Sequence, residues 1–173
     1  MSLIEKVFET EWFSIEAISN NLEDRKPYYR LSCNDSVAIL AVTPEKKFVL
    51  VRQFRPVLGI SMIELPSGNI DDNESPEEAI ARELLEETGY VCKSLTCLGA
   101  YKNVQSRINN TLYLFLGQGA ELNLKKFNNE EYDKNIEVLL NSEEKFKELI
   151  ENKEYDEIGG IATYLIAKFK GYL

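Results

Sequence analysis

The chain contains no histidine among its 173 residues. That absence removes Ser-His-Asp and Cys-His catalysis, histidine-held zinc and imidazole acid–base chemistry. Cysteine is scarce as well. Cys33, Cys92 and Cys97 make an odd number at spacings that match no zinc site, so they read as small, reduced core residues. No apolar run approaches the ~20 residues that cross a bilayer. The opening MSLIEKVFETEW carries an acid at position 5 and lacks the apolar stretch of a signal peptide, which makes the cytoplasm the expected location. Positive charge is also short: 20 Lys and Arg stand against 29 Asp and Glu, a net charge of −9 with no basic stripe. This argues against holding nucleic acid by its phosphates. Any reaction must therefore run on carboxylates, lysine, tyrosine, arginine or a metal held by oxygen.

What is present is an ordinary globular composition, 44% hydrophobic and 28% charged, with no internal repeat or flexible linker. WFSIEAIS and PYYRLSC read as an antiparallel hairpin around NNLEDRK. SVAILAV and KFVLVRQF are β-branched strands joined by the turn TPEKK. SMIELP is a short strand stopped by Pro66, and SGNIDDNE reads as a loop. Ser75 as N-cap, Pro76 at the first helical position, Glu78 closing a capping box and Gly89 past the end predict a helix over 76–88. VCKSLTCLGAYK, TLYLFLG and IEVLL follow as strands. Asn141 with Glu144 predicts a helix to about Glu151, and Asp156 is the expected cap of a last helix in EIGGIATYLIAKFK. Strands dominate early and helices late, which predicts an α+β sandwich with a mixed sheet and an N-terminal antiparallel hairpin.

The stretch ARELLEETGY poses an electrostatic problem. Glu83 shares a helix face with both Glu86 and Glu87. Like charges at that spacing destabilise a helix by roughly 0.2–0.5 kcal/mol per pair. The carboxyl end of the helix dipole disfavours anions by roughly 0.3–1 kcal/mol more. A dication between the carboxylates turns each repulsion into an attraction, and Mg²⁺ takes one or two carboxylates together with waters and phosphate oxygens.

Read with its upstream loop, GNIDDNESPEEAIARELLEETGY resembles the signature of the Nudix hydrolases, G-x5-E-x7-R-E-U-x-E-E-x-G-U with U a bulky aliphatic residue. Gly68, Glu74, Arg82, Glu83, Leu84, Glu86, Glu87 and Gly89 fall on the fixed positions, and Tyr90 departs from the usual aliphatic. The resemblance implies an α/β/α sandwich in which Glu83, Glu87, Glu86 and the backbone carbonyl of Ser67 hold Mg²⁺, or Mn²⁺. It implies that Arg82 orients a glutamate and that Glu74 is either an outer ligand or a partner of Arg82. Gly68 is expected where the chain bends sharply.

VLVRQFRP followed by IELPSG is similar to the ADP-ribose and nucleoside-diphosphate-sugar pyrophosphatase branch. That similarity assigns Arg55, Glu64 and Arg30 to substrate binding, with Glu64 behind Arg55. It implies a homodimer built through residues 1–35, with residues 36–173 as the Nudix domain, and gives Tyr28, Tyr29 and Trp12 a place in the dimer or against the base. Two departures stand out. NVQSRINN, with Gln105 near the expected proline and Asn109 or Asn110 in place of a glutamate, widens the expected substrate from ADP-ribose to nucleotide sugars. The late-loop base is open between Glu131, Glu130 and Asp133, because the ungapped position is Lys134. The expected activity is metal-dependent cleavage of a nucleoside-diphosphate sugar to a nucleoside monophosphate and a sugar phosphate, without nucleic-acid or membrane partners. Hydrolysis of nucleoside triphosphates or dinucleotides, and a non-catalytic nucleotide-binding module, are the alternatives.

Overall fold

The computed structural model describes residues 3–19, 26–123 and 135–173. In chain order the elements are β1 (Leu3–Glu9), β2 (Ser14–Ser19), β3 (Tyr28–Ser32), β4 (Ser36–Val42), β5 (Phe48–Arg55), β6 (Ile60–Glu64) and β7 (Ser67–Asn69). Helix α1 (Pro76–Thr88), β8 (Tyr90–Val91), β9 (Ser94–Tyr101), β10 (Leu112–Gln118) and β11 (Glu121–Leu122) come next, followed by β12 (Glu137–Asn141), α2 (Glu143–Glu151) and α3 (Ile158–Phe169).

The central sheet runs β12-β5-β4-β10-β9, with β6 added to β5 and β7 to β4. It is mixed, because β10 lies parallel to β4 while its other pairings are antiparallel. β4 has no polar face to offer. Its residues alternate between two cores: Val37, Ile39 and Ala41 meet Ala79, Ile80 and Leu84 of α1, while Ala38, Leu40 and Val42 meet the layer of α2 and α3. A strand buried on both sides must read as a continuous apolar run, and SVAILAV does. The result is the expected α/β/α sandwich.

The second core is aromatic. Phe146 is fully buried and meets Tyr155, Tyr164 and Phe48 at ring-centroid distances of 4.8, 5.5 and 5.6 Å, each edge-on. Edge-on pairs add to area burial. Phe146→Ala is therefore expected to destabilise the fold by about 3–5 kcal/mol, read as a lower midpoint in urea unfolding. A loss below 1 kcal/mol would show that the cluster can collapse into the space.

Several local expectations are corrected. β1 was not foreseen; it makes the N-terminal hairpin three-stranded, in the order β1-β2-β3. β7 replaces part of the predicted loop, because residues 67–69 find the edge of β4. Helix α2 is capped by Ser142 instead of Asn141, its hydroxyl accepting from the Lys145 N–H at 3.2 Å. Helix α3 is capped by Glu157 instead of Asp156. The Glu157 carboxylate accepts from the N–H groups of Gly159 and Gly160 at 2.5 and 2.6 Å. All three cysteines are free, but only Cys92 packs against a core, half-buried beside the α1 layer; Cys33 is half-buried and Cys97 is exposed.

Candidate active site

Helix α1 begins and ends where its local chemistry requires. Ser75 and Glu78 close the capping box reciprocally, and Gly89 adopts φ 73°, its N–H reaching the Leu85 carbonyl at 2.8 Å. Burying Ala79, Ile80, Leu84 and Thr88 against the sheet leaves Arg82, Glu83, Glu86 and Glu87 half-buried on the rest of the helix.

Arg82 is the hub of that face. Its Nε and Nη2 donate to the two oxygens of Glu74 at 2.9 and 2.8 Å, and Nη1 donates to Glu83 at 2.8 Å and Glu86 at 3.2 Å. Nη2 also reaches the Asn69 carbonyl at 3.0 Å. Part of the repulsion noted in the sequence is thus offset by one guanidinium, and Arg82 holds the Glu74 carboxyl below its ordinary range. Of the two roles open to Glu74, the geometry shows a partner of Arg82.

Glu87 lacks such relief. Its carboxylate accepts the Ser67 N–H at 3.0 Å. Burial, with Glu83 and Glu64 nearby, pushes its pKa up to about 8. Burial also raises Glu83. The Glu83 carboxylate lies directly on Gly68, where a Cβ would sit 2.0 Å from its Cδ. The expectation of a sharp bend at Gly68 is corrected: the residue lies within β7, and glycine is required by the close approach of Glu83, not by a left-handed φ.

Ser67, Gly68 and Asn69 form one wall of a cleft of about 360 Å³ that also takes in Arg55, Glu64 and Glu157. Arg55 is held against the cleft wall by the buried Glu64, with Nη2 and Nε at 2.5 and 3.0 Å from one carboxylate oxygen. Gln53 donates to the same oxygen at 3.0 Å. A larger hollow of about 400 Å³, between Val42, Phe48, Glu143 and Tyr172, contains none of these groups.

The structure therefore brings Arg82, Glu83, Glu86, Glu87, Ser67, Arg55 and Glu64 to one region. It does not bring Arg30 there: Arg30 donates from Nε to Glu16 at 2.7 Å and lines a separate pocket. Glu131, with Glu130 and Asp133, lies outside the described residues. Glu157 was missed as a cleft residue. Its signal was Glu-x-Gly-Gly, where two glycines leave both N–H groups open to a preceding carboxylate.

The donor set suits a cation. It consists of oxygens only, and two of its half-buried carboxylates, Glu83 and Glu87, are pushed toward protonation by burial, a strain that a dication relieves. Among the described residues no three acidic or thiol side chains are grouped to enclose an ion. Two carboxylates and a carbonyl would leave coordination positions for water and phosphate, the arrangement Mg²⁺ favours. The residues fit.

The NUDIX domain description matches residues 34–154. ADP-ribose pyrophosphatase of Bacillus subtilis (strain 168) is 36% identical over 122 residues, 70% of this chain and 65% of that protein, so the chain spans just under two thirds of the relative. Methanol dehydrogenase activator of Bacillus methanolicus is 31% identical over 130 residues, 74% of this chain and 69% of that protein. A solved structure, described as the crystal structure of ADP compounds hydrolase, superposes with a TM-score of 0.80 over 100% of this chain and 96% of its own, at 20% identity, which establishes the shared fold. With the box residues in place around one cleft, the chain belongs to the Nudix family.

Proposed function

We propose that the protein is a divalent-cation-dependent pyrophosphohydrolase that cleaves the diphosphate of a nucleoside-diphosphate sugar, releasing a nucleoside monophosphate and a sugar phosphate. The observation that carries this reading is the joining of Glu83 and Glu87, through Gly68 and Ser67, to the cleft that holds Arg55. Glu83, Glu87 and the Ser67 carbonyl would hold Mg²⁺, with Glu86 beside them on the same helix face and Mn²⁺ as a substitute. When bound, the cation neutralises diphosphate charge and lowers the pKa of water.

The chain's own groups do the rest. Arg82 fixes the carboxylates of Glu83 and Glu86. Arg55 presents a planar guanidinium to the diphosphate oxygens, and Glu64 holds that guanidinium in the cleft. Glu131, or its neighbours Glu130 and Asp133, takes the proton of the attacking water. Asn109 or Asn110 stands where the resembling branch carries a glutamate, so the substrate is read as a nucleotide sugar in general.

Residues 1–35 serve a homodimer in this reading. Leu3, Ile4, Phe8 and Trp12 are 67, 51, 53 and 72% exposed, apolar surface that a second copy would cover. No helix among the described residues is long and apolar enough to cross a membrane, and the proposed place of action is the cytoplasm.

The test is turnover of ADP-ribose, GDP-mannose, UDP-glucose, ATP and diadenosine polyphosphates, with Mg²⁺ and with chelator. One nucleotide sugar is expected to exceed ATP by at least about tenfold, the discrimination available from binding contacts of ~1–3 kcal/mol, and to lose turnover in chelator. Preferred cleavage of ATP or a dinucleotide would replace this reading by the triphosphate or dinucleotide one. Nucleotide binding without turnover would favour a regulatory module.

A further inference from the structure

A second pocket, of about 290 Å³, lies between the N-terminal sheet and the segment after β9. Its wall includes Tyr28, Arg30, Lys102, Gln105 and Arg107. It adjoins the cleft described above, because Lys102 lines this pocket and the next residue, Asn103, lines the cleft. The segment is tied down on the sheet side: Leu31 donates to the Arg107 carbonyl at 2.8 Å and accepts from the Asn109 N–H at 3.3 Å.

Three cations meet here in a protein of charge −9. Arg30 is neutralised by Glu16. Among the described residues neither Lys102 nor Arg107 has an acidic partner. Lys102 donates to the carbonyls of Asn109 and Asn110, both at 3.2 Å, and to the Thr111 hydroxyl at 2.7 Å. Its three protons are thus engaged with neutral acceptors, and it supplies field without a free hand. Arg107 is different. Its guanidinium stacks over the Tyr28 ring, 4.9 Å from the centroid. Tyr28 is itself held by a hydrogen bond from its hydroxyl to the Ser106 carbonyl. Among the described residues Arg107 makes one side-chain hydrogen bond, from Nη1 to the Ser106 carbonyl at 3.1 Å. Of five guanidinium N–H groups, most stay free on a plane whose orientation the Tyr28 ring fixes. Such a fork matches a phosphate.

We propose that this pocket is an anion site that binds the phosphate of a nucleoside monophosphate, with Arg107 as the direct ligand, Lys102 as the source of potential and the exposed Gln105 amide as a second donor. Its volume is close to the small end of ligand pockets, ~300–1,000 Å³, which suits one phosphorylated unit. The choice of a nucleotide rests on the function proposed above; the anion site itself does not.

The test is calorimetric titration of the full chain in chelator and low salt with AMP, ribose 5-phosphate and inorganic phosphate, on wild type, Arg107→Gln, Arg107→Lys and Arg55→Gln. Arg107→Gln is expected to weaken AMP binding at least about tenfold, the effect of a lost charged hydrogen bond. Arg107→Lys is expected to recover part of it, and the loss at Arg107 is expected to persist in an Arg55→Gln background. AMP is expected to bind more tightly than inorganic phosphate. Unchanged affinity in Arg107→Gln, or loss only in Arg55→Gln, would overturn the proposal and place the nucleotide in the cleft. Equal affinity for all three ligands would overturn its nucleotide part. None of these outcomes depends on turnover, so failure of the hydrolase reading is separately visible.

Discussion

Glu87→Gln is expected to lose activity by about 10³-fold while making the metal-free protein more stable at neutral and alkaline pH. The loss follows from removing a carboxylate proposed to hold the cation, whose charge stabilisation is worth several kcal/mol in the transition state. The gain follows from proton linkage. Burial first, then the nearby Glu83 and Glu64, raise the folded-state pKa of Glu87 from 4.5 to about 8. Between those values the folded metal-free protein keeps a proton that the unfolded chain has released. Stability from this group therefore falls as pH rises through that window and is lowest above pH 8. Gln carries no such penalty, and its amide oxygen can still accept the Ser67 N–H. The variant should match wild type near pH 4.5 and exceed it above pH 8 by an amount on the order of 5 kcal/mol at most. Added Mg²⁺ should narrow or reverse the difference, because only the ionised wild type gains from binding. Thermal unfolding across pH, with and without Mg²⁺, measures both effects. A variant less stable than wild type at pH 9 in chelator would contradict the account of Glu87 as a buried, strained acid.

Gly68→Ala is expected to weaken metal binding by about 10–100-fold, the range seen when groups that orient a ligand are removed, with a matching fall in activity. The new methyl would stand 2.0 Å from the Glu83 Cδ, so the carboxylate must leave its place. The backbone should tolerate the change, since Gly68 has no left-handed φ. A second substitution separates these effects. Glu83→Asp shortens the side chain by one methylene, and in the Gly68→Ala background it should recover part of the metal affinity, although alone it should lower it. That sign of coupling is what a double-mutant cycle reads for two residues in contact. Additive losses would show that Gly68 acts through something other than Glu83.

Helix α1 was legible to the residue because its boundaries are local chemistry: Ser75, Pro76, Glu78 and Gly89 act within a turn of where they stand. The central strands were legible because double-sided burial leaves an unbroken apolar run. β1 was not. All seven of its residues are exposed, and it is a strand only through its pairing with β2, which is interrupted between Lys6 and Phe8. β7 likewise owes its conformation to β4.

The candidate site divides the same way. The spacing of Glu83, Glu86 and Glu87 is a property of the helix and could be read directly. The crowding of Glu83 on Gly68 is tertiary, as is the separation of Arg30 from Arg55, and neither leaves a local trace. Glu157 carries a readable pattern, but its neighbour Asp156 offered a shorter and more familiar cap.

The parallel seam between β4 and β10 has a kinetic meaning. Ser36–Val42 pairs along its length with Leu112–Gln118, and both cores are built on β4. The amino-terminal half therefore holds an apolar strand whose long-range neighbour emerges from the ribosome much later. Loop closure over that span precedes most of the reward, which slows folding. In the interval β5 and β7 cover β4 on only part of one edge, and the other edge waits, unpaired and apolar, for Leu112 to arrive. The window for aggregation closes with the second half of the chain.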